Sequence, residues 1–289
     1  YRLLFLTLIN PQMRKTLLAF LAILCMFTLG NAQSIGIFTD PDYIDLEADG
    51  DDDDDDDDPN CEAEGLVVQE VVSNLGYSFI TIGDEDDLPT VLPGLEILII
   101  PENEQENFAP TGAVLTAIQE FVNDGGKVIV MNSTSVLFDI FGFTITGGDD
   151  DDDDDDDDDS IDIITGSTTG TCYETSGVSS LSFNNATDVL ESMLPDGSIC
   201  YYKDGDRAGV ASIPYGDGSV CFLGWDWYYC DSEDTDEEKD AWDTVLGCMI
   251  QEAGVQAEPI PTMGQWSILI LSLCITIVGV LKARKLVIA

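Results

Sequence analysis

The sequence predicts an α/β domain: a doubly wound, mostly parallel sheet with helices on both faces. Three observations predict it. Short, continuous apolar runs such as LEILIIPE (Leu95 to Glu102) read as strands covered on both sides. Stretches with apolar residues at helical spacing alternate with those runs. Glycines close the helical stretches, as at Gly76 and Gly125-Gly126.

Each element follows in order. SIGIFTD (Ser34 to Asp40) is a buried strand ending on an aspartate. EAEGLVVQEVVSNLG places Leu66, Val67, Val71, Val72 and Leu75 on one helix face. YSFITI is the second strand and LEILIIPE the third. APTGAVLTAIQEFVNDGG is a helix with Val114, Leu115, Ile118, Phe121 and Val122 inward, and KVIVMNS is the fourth strand. Right-handed crossovers join such units. The second half is less regular. DVLESMLP reads as a short helix, and Cys200 falls on a predicted strand. AGVASIPYGDGSVCFLGWDWYY reads as a hairpin turning at Tyr215 to Gly218. EKDAWDTVLGCMIQEAG closes the domain as a helix with Trp242, Val245, Leu246 and Met249 inward. The domain spans residues 34–254 and a linker follows over 255–260.

Charge is distributed unevenly. All 57 acidic residues lie between Asp40 and Glu258, with only Lys127, Lys203, Arg207 and Lys239 among them, a net of −53. Such a surface repels nucleic acid and anionic lipid and attracts cations, basic proteins or a mineral face. The chain has no histidine, which removes Ser-His-Asp and Cys-His chemistry and the commonest zinc ligand.

The two ends read as addresses. From Met13, a basic pair (Arg14, Lys15), an apolar run (Leu17 to Leu29) and small residues (Gly30-Asn31-Ala32) make a secretory signal peptide over 13–32. Residues 1–12 are read as upstream sequence translated in frame. Near the other end, Trp266 to Leu281 is an apolar run of about 24 Å as a helix. Trp266 suits one membrane interface, and Lys282, Arg284 and Lys285 the cytoplasmic one. The expected location is therefore exported and anchored in the inner membrane, with the domain facing outward. Ile260, Pro261, Thr262 and Met263, followed by Trp266, the apolar run and the basic end, resemble the bacterial IPTL-CTERM sorting tails, relatives of the PEP-CTERM signals. Met263 stands where leucine is usual. The resemblance implies a processing protease of the exosortase type and transfer to the cell surface.

Six cysteines lie outside these addresses: Cys61, Cys172, Cys200, Cys221, Cys230 and Cys248. In an exported chain they allow up to three disulfides, in fifteen pairings.

The segments IFTD, LIIPE, FVNDGGKVIV, LFDIFGF and YGDGSVCFLGWDW resemble the class I glutamine amidotransferase-like superfamily, its ThuA-like branches above all. The resemblance implies a flavodoxin-like sheet over about 200 residues. Its active members need a cysteine on a strand-to-helix elbow and a histidine-glutamate pair. Here Met131-Asn132-Ser133-Thr134 follows KVIV, with no cysteine, so the resemblance implies the fold without that chemistry.

Two uninterrupted aspartate runs, 51–58 and 149–159, interrupt the domain. Each repels itself and has no apolar surface to bury. Asp45, Glu47 and Asp49 precede Gly50 and Asp51 in the spacing that opens an EF-hand loop, and carboxylate oxygens are what Ca²⁺ takes. Calcium is thus one expected cofactor; a solvated spacer is the other reading. Glu102 and Asp226, the latter between two tryptophans, are the candidate catalytic carboxylates, each expected near a strand end. Two function classes remain open. One is a non-catalytic, surface-anchored binding or structural protein with an acidic, calcium-binding face. The other is an extracytoplasmic hydrolase that acts on carbohydrate through paired carboxylates.

Overall fold

A computed structural model describes residues 35–46, 63–144, 160–182, 187–227 and 236–252. The two aspartate runs, the signal segment 13–32, the linker and the tail 260–285 lie outside the described residues. Among the described residues no helix is long and apolar enough to cross a membrane.

The first half alternates as its apolar periodicity predicts: β1 (Ile35–Phe38), α1 (Glu64–Asn74), β2 (Phe79–Ile82), the short α2 (Leu88–Val91), β3 (Ile97–Ile100), α3 (Gly112–Asn123), β4 (Lys127–Met131) and α4 (Thr134–Phe141). The second half carries β5 (Ser160–Ile163), two short helices, α5 (Thr165–Thr168) and α6 (Cys172–Ser176), then β6 (Ser180–Ser182), β7 (Val189–Leu190), β8 (Ile199–Asp204), β9 (Arg207–Tyr215), β10 (Gly218–Leu223) and the closing helix α7 (Asp236–Glu252). One mixed sheet joins them in the order β2-β1-β3-β4-β10-β9-β8-β5-β6, with β7 on β9. The pairings from β2 through to β10 are parallel. Those from β10 onward to β6 are antiparallel. The fold is α/β, with an antiparallel extension on one side.

Alternation along the strands sends successive side chains to opposite faces. Ile35, Ile37, Ile97, Ile99, Ile129 and Met131 meet α1 and α7 on one face. Phe38, Leu98, Ile100, Val128 and Val130 meet α3 and α4 on the other. Two predicted details change. Leu66 points outward at 46% exposure, and Val68 takes the inward place on α1. The expected helix at DVLESMLP is instead the two-residue strand β7 followed by a single 3-10 turn, Glu191–Met193. Pairing with β9 captures Val189 and Leu190, so tertiary contact overrides the local helical pattern.

Of the six cysteines, Cys172 and Cys248 form a disulfide that ties α6 to α7 across 76 residues. Cys200 and Cys221 are buried free thiols in the cores of opposite faces. Cys61 and Cys230 lie outside the described residues. Replacing Cys172 and Cys248 together by alanine is expected to cost about 2–4 kcal/mol, as for loops of this size. Denaturant unfolding checks it, and a change below about 1 kcal/mol would show that the bond contributes little.

Candidate carboxylate centre

In an open α/β sheet, loops at the carboxyl ends of parallel strands converge to form ligand sites. Four such loops converge here. After β1 the chain turns through Asp40, whose carboxylate accepts from the backbone N–H of Asp42 and Glu85 at 3.1 and 2.9 Å. It re-enters α1 at Glu64, the first helical residue. Gly65 lets α1 start hard against the preceding loop, because a Cβ there would lie 2.7 Å from Ile44 and Leu46 side-chain atoms and 2.8 Å from the Asp45 carbonyl. The Gly65 N–H donates to that same carbonyl at 3.1 Å. Glu102 lies just beyond β3, behind Pro101. Asn132 directly follows β4, and Asp226 follows β10.

These placements bring Glu64, Glu102 and Asp226 together, with one carboxylate oxygen from each lying within 4.8 Å of the others. Glu64 is 1% exposed and Asp226 8%. One oxygen of Glu64 and one of Glu102, Oε2 in both, are buried and have no hydrogen-bond partner. Burial pushes the Glu64 carboxyl up to about 12, and the charge of Glu102, with the hydrogen bond and charge of Asp226, adds to it. Burial also raises Glu102, to about 8, reinforced by the Asp226 charge and opposed by a hydrogen bond from the Asn132 side chain. With no cation present, burial therefore favours the protonated form of Glu64. Three carboxyl groups this close do not all ionise by themselves: they share protons or gather a cation.

Asn132 occupies the strand-to-helix elbow between β4 and α4, with φ at +43°, in the left-handed region. Its side-chain oxygen accepts from the Thr187 N–H at 2.5 Å and from the Thr187 hydroxyl at 2.7 Å. The amide is thus committed on both sides, to Thr187 and to Glu102. Gly224 permits the crossing, since a Cβ there would fall 2.0 Å from the Thr187 carbonyl oxygen. The tryptophans on either side of Asp226 fill the core: Trp225 stacks on Trp242 at 5.4 Å and Trp227 meets it edge-on at 6.3 Å.

Sequence reasoning places Glu102 and Asp226 at strand ends, and the structure brings the two together. It does not single out Glu64, which looks like an ordinary acidic residue in a helix's first turn. The available signal is its position, directly after the β1 loop and ahead of a glycine. Of the calcium-loop residues, Asp45 is described, and Glu47, Asp49 and Asp51 lie outside the described residues. A cavity of about 870 Å³ lies elsewhere, lined by Leu92, Glu96, Phe121, Lys127 and Ser219 at the amino edge of the parallel strands. This cavity and the buried carboxyl groups therefore sit at opposite ends of the parallel strands.

No known protein family matches the sequence, and no curated protein resembles it at the sequence level. Solved structures resemble it in shape alone. A β-galactosidase from Bacillus circulans sp. alkalophilus is 10% identical with a TM-score of 0.48, over 78% of this chain and 32% of that one. The mmIFT52 N-terminal domain is 12% identical with a TM-score of 0.47, over 78% of this chain and all of that one. The cytoplasmic protein STM3548 from Salmonella typhimurium is 12% identical with a TM-score of 0.46, over 74% and 97%. This chain spans about a third of the β-galactosidases it matches. Likeness at this level carries no argument about activity.

Proposed function

We propose that this is an exported, envelope-anchored binding protein without catalytic activity, built on a flavodoxin-like, amidotransferase-like scaffold and presenting an acidic face that takes cations. The observation that carries the reading is the elbow after β4. Where that superfamily's chemistry needs a nucleophile, Asn132 stands, its amide engaged by Thr187 and Glu102. The strand order β2-β1-β3-β4 supports the flavodoxin-like scaffold. The signal segment 13–32 and the sorting tail 260–285 supply the route outward and the membrane anchor, with an exosortase-like protease as processing partner. The acidic segment Asp45, Glu47, Asp49 and Asp51 supplies calcium-attracting carboxylates, and Asp45 follows β1.

One observation favours the hydrolase reading: Glu102 and Asp226 do lie together. Paired carboxylates hydrolyse glycosides only when a sugar reaches both. Here Glu102 is partly buried and Asp226 only 8% exposed, so a sugar that reaches the first is largely kept from the second. Screening the purified mature protein against oligosaccharides is expected to give no turnover. Hydrolysis that disappears in Asp226→Asn would overturn the binding reading in favour of the enzyme.

A further inference from the structure

We propose that Glu64, Glu102 and Asp226 form a binding site for a single calcium ion, distinct from the aspartate runs, at the carboxyl edge of the sheet. The inference rests on reading this edge as the binding end of the molecule, and it names the ligand.

Geometry comes first. Calcium–oxygen distances of about 2.3–2.6 Å put ligands on opposite sides of the ion about 4.6–5.2 Å apart. The three carboxylate oxygens lie within 4.8 Å of one another, so one ion between them reaches all three. Magnesium keeps several waters and is bound by only one or two protein carboxylates, so a set of three converging carboxylates suits calcium better. A set of carboxylates alone, with no histidine in the chain, suits a hard cation and not zinc.

A second observation points to a ligand independently of the clustering. Glu64 is 1% exposed, and its Oε2 has no hydrogen-bond partner, a costly arrangement for a buried polar atom. Glu102 Oε2 is orphaned in the same way. A cation held between these carboxyl groups offsets their mutual repulsion and the cost of burying them. Deposition of these groups at one point is built into the backbone: Gly65 allows the close start of α1, and Gly224 allows the crossing that aims the Asp226 loop. Waters and the nearby Glu104, whose charge already acts on Glu64 and Glu102, are available to complete the shell.

The aspartate runs gather cations by themselves, so the test must report on place as well as on binding. Trp225 and Trp227 flank Asp226 and provide that report, because terbium bound beside an indole emits on tryptophan excitation. The mature full-length protein, stripped with EDTA, is titrated with terbium and then with calcium or magnesium as competitor. Expected is sensitised emission that saturates at one equivalent and is displaced by calcium far more readily than by magnesium. Glu64→Gln and Asp226→Asn are each expected to weaken terbium binding at least about tenfold, since each removes a charged ligand. A variant with Asp51 to Asp58 changed to serine is expected to keep the emission. Circular dichroism confirms that each variant folds. Emission unchanged in Glu64→Gln, or lost only in the serine variant, would overturn the site and move the ion to the loop. Absence of any sensitised emission in the folded protein would overturn it too, while leaving the non-catalytic reading, tested by the oligosaccharide screen, where it stands.

Discussion

Replacing Trp242 by alanine is expected to destabilise the domain by about 3–5 kcal/mol, the range for removing a large aromatic from a packed core. The residue is fully buried on α7. Its ring lies against Trp225 at 5.4 Å with planes 22° apart, and against Trp227 at 6.3 Å and 76°. Such aromatic pairs add about 0.5–1.5 kcal/mol beyond the area they bury. The indole N–H donates to the Ser182 carbonyl at 2.9 Å, so truncation also leaves that acceptor on β6 without this partner. For a domain of this size each kcal/mol moves the melting temperature by about 2–4 °C, so a fall on the order of 10 °C is expected. Trp242→Phe keeps a ring between the two partners and should fall between the extremes. Urea unfolding measures both variants, and a loss under about 1 kcal/mol for the alanine would show that the three rings do not act as one core. The loop that carries Asp226 starts from this cluster. The same substitution should therefore also weaken the sensitised terbium signal, because the tryptophans that hold the loop lose their common support.

How much of this was legible in the sequence depends on whether the deciding contacts are local. The strands β1 to β4 and the helices α1, α3 and α7 follow from apolar runs and helical spacing, because burial on two faces or on one stripe writes itself into consecutive residues. Glycine closure at Gly76 and Gly125 was equally local. The hairpin of β9 and β10 was legible from Tyr215-Gly216-Asp217-Gly218, where Gly216 has φ at +61°. Leu66 was misplaced because it and Val68 compete for one stripe, and only the packing of α1 on the sheet decides between them. The segment at Val189 was misread because its strand exists only through β9, a partner that local periodicity does not show. The same limit governs the site. Glu102 and Asp226 stand out beside strand ends, whereas Glu64 joins them through a crossover, and nothing near residue 64 announces residue 226. Asn132 is visible in the sequence only as one of the four residues, Met131 to Thr134, around the elbow. Its engagement by Thr187, 55 positions away, is not.

In EDTA, the protein is expected to lose stability steadily as pH rises from about 5 to 8, and Glu64→Gln is expected to lose it less steeply. The sign follows from the direction of the shifts. Both Glu64 and Glu102 have an ordinary value of 4.5 and are raised in the fold, to about 12 and about 8. Below 4.5 each carboxyl is protonated whether the chain is folded or not, and the stability associated with that state is fully present. Above 4.5 the unfolded chain releases these protons and the folded one keeps them, so each retained proton costs about 1.4 kcal/mol of stability per pH unit. For Glu102 the loss ends as the pH passes about 8; for Glu64 it continues toward 12. The many surface acids also ionise near the start of this window and repel one another, so the wild-type slope by itself does not isolate the centre. Its difference from the slope of Glu64→Gln does. The glutamine is of similar shape, carries no titrating proton and still offers an N–H toward Asp226. Between pH 6 and 8 the two slopes should differ by about 1.4 kcal/mol per pH unit, the value for one proton. Denaturant unfolding at half-unit pH steps measures this, and coincident slopes would mean that Glu64 is already ionised in the folded protein. Calcium should change the outcome at the high end of the window. An ion held by the three carboxylates replaces the retained protons, and a bound ligand stabilises the fold in proportion to the logarithm of its concentration over its dissociation constant. The wild-type curve in calcium should therefore rise above its EDTA counterpart as the pH increases, and the Glu64→Gln curve should separate far less, because the ion has lost one of its three charged ligands.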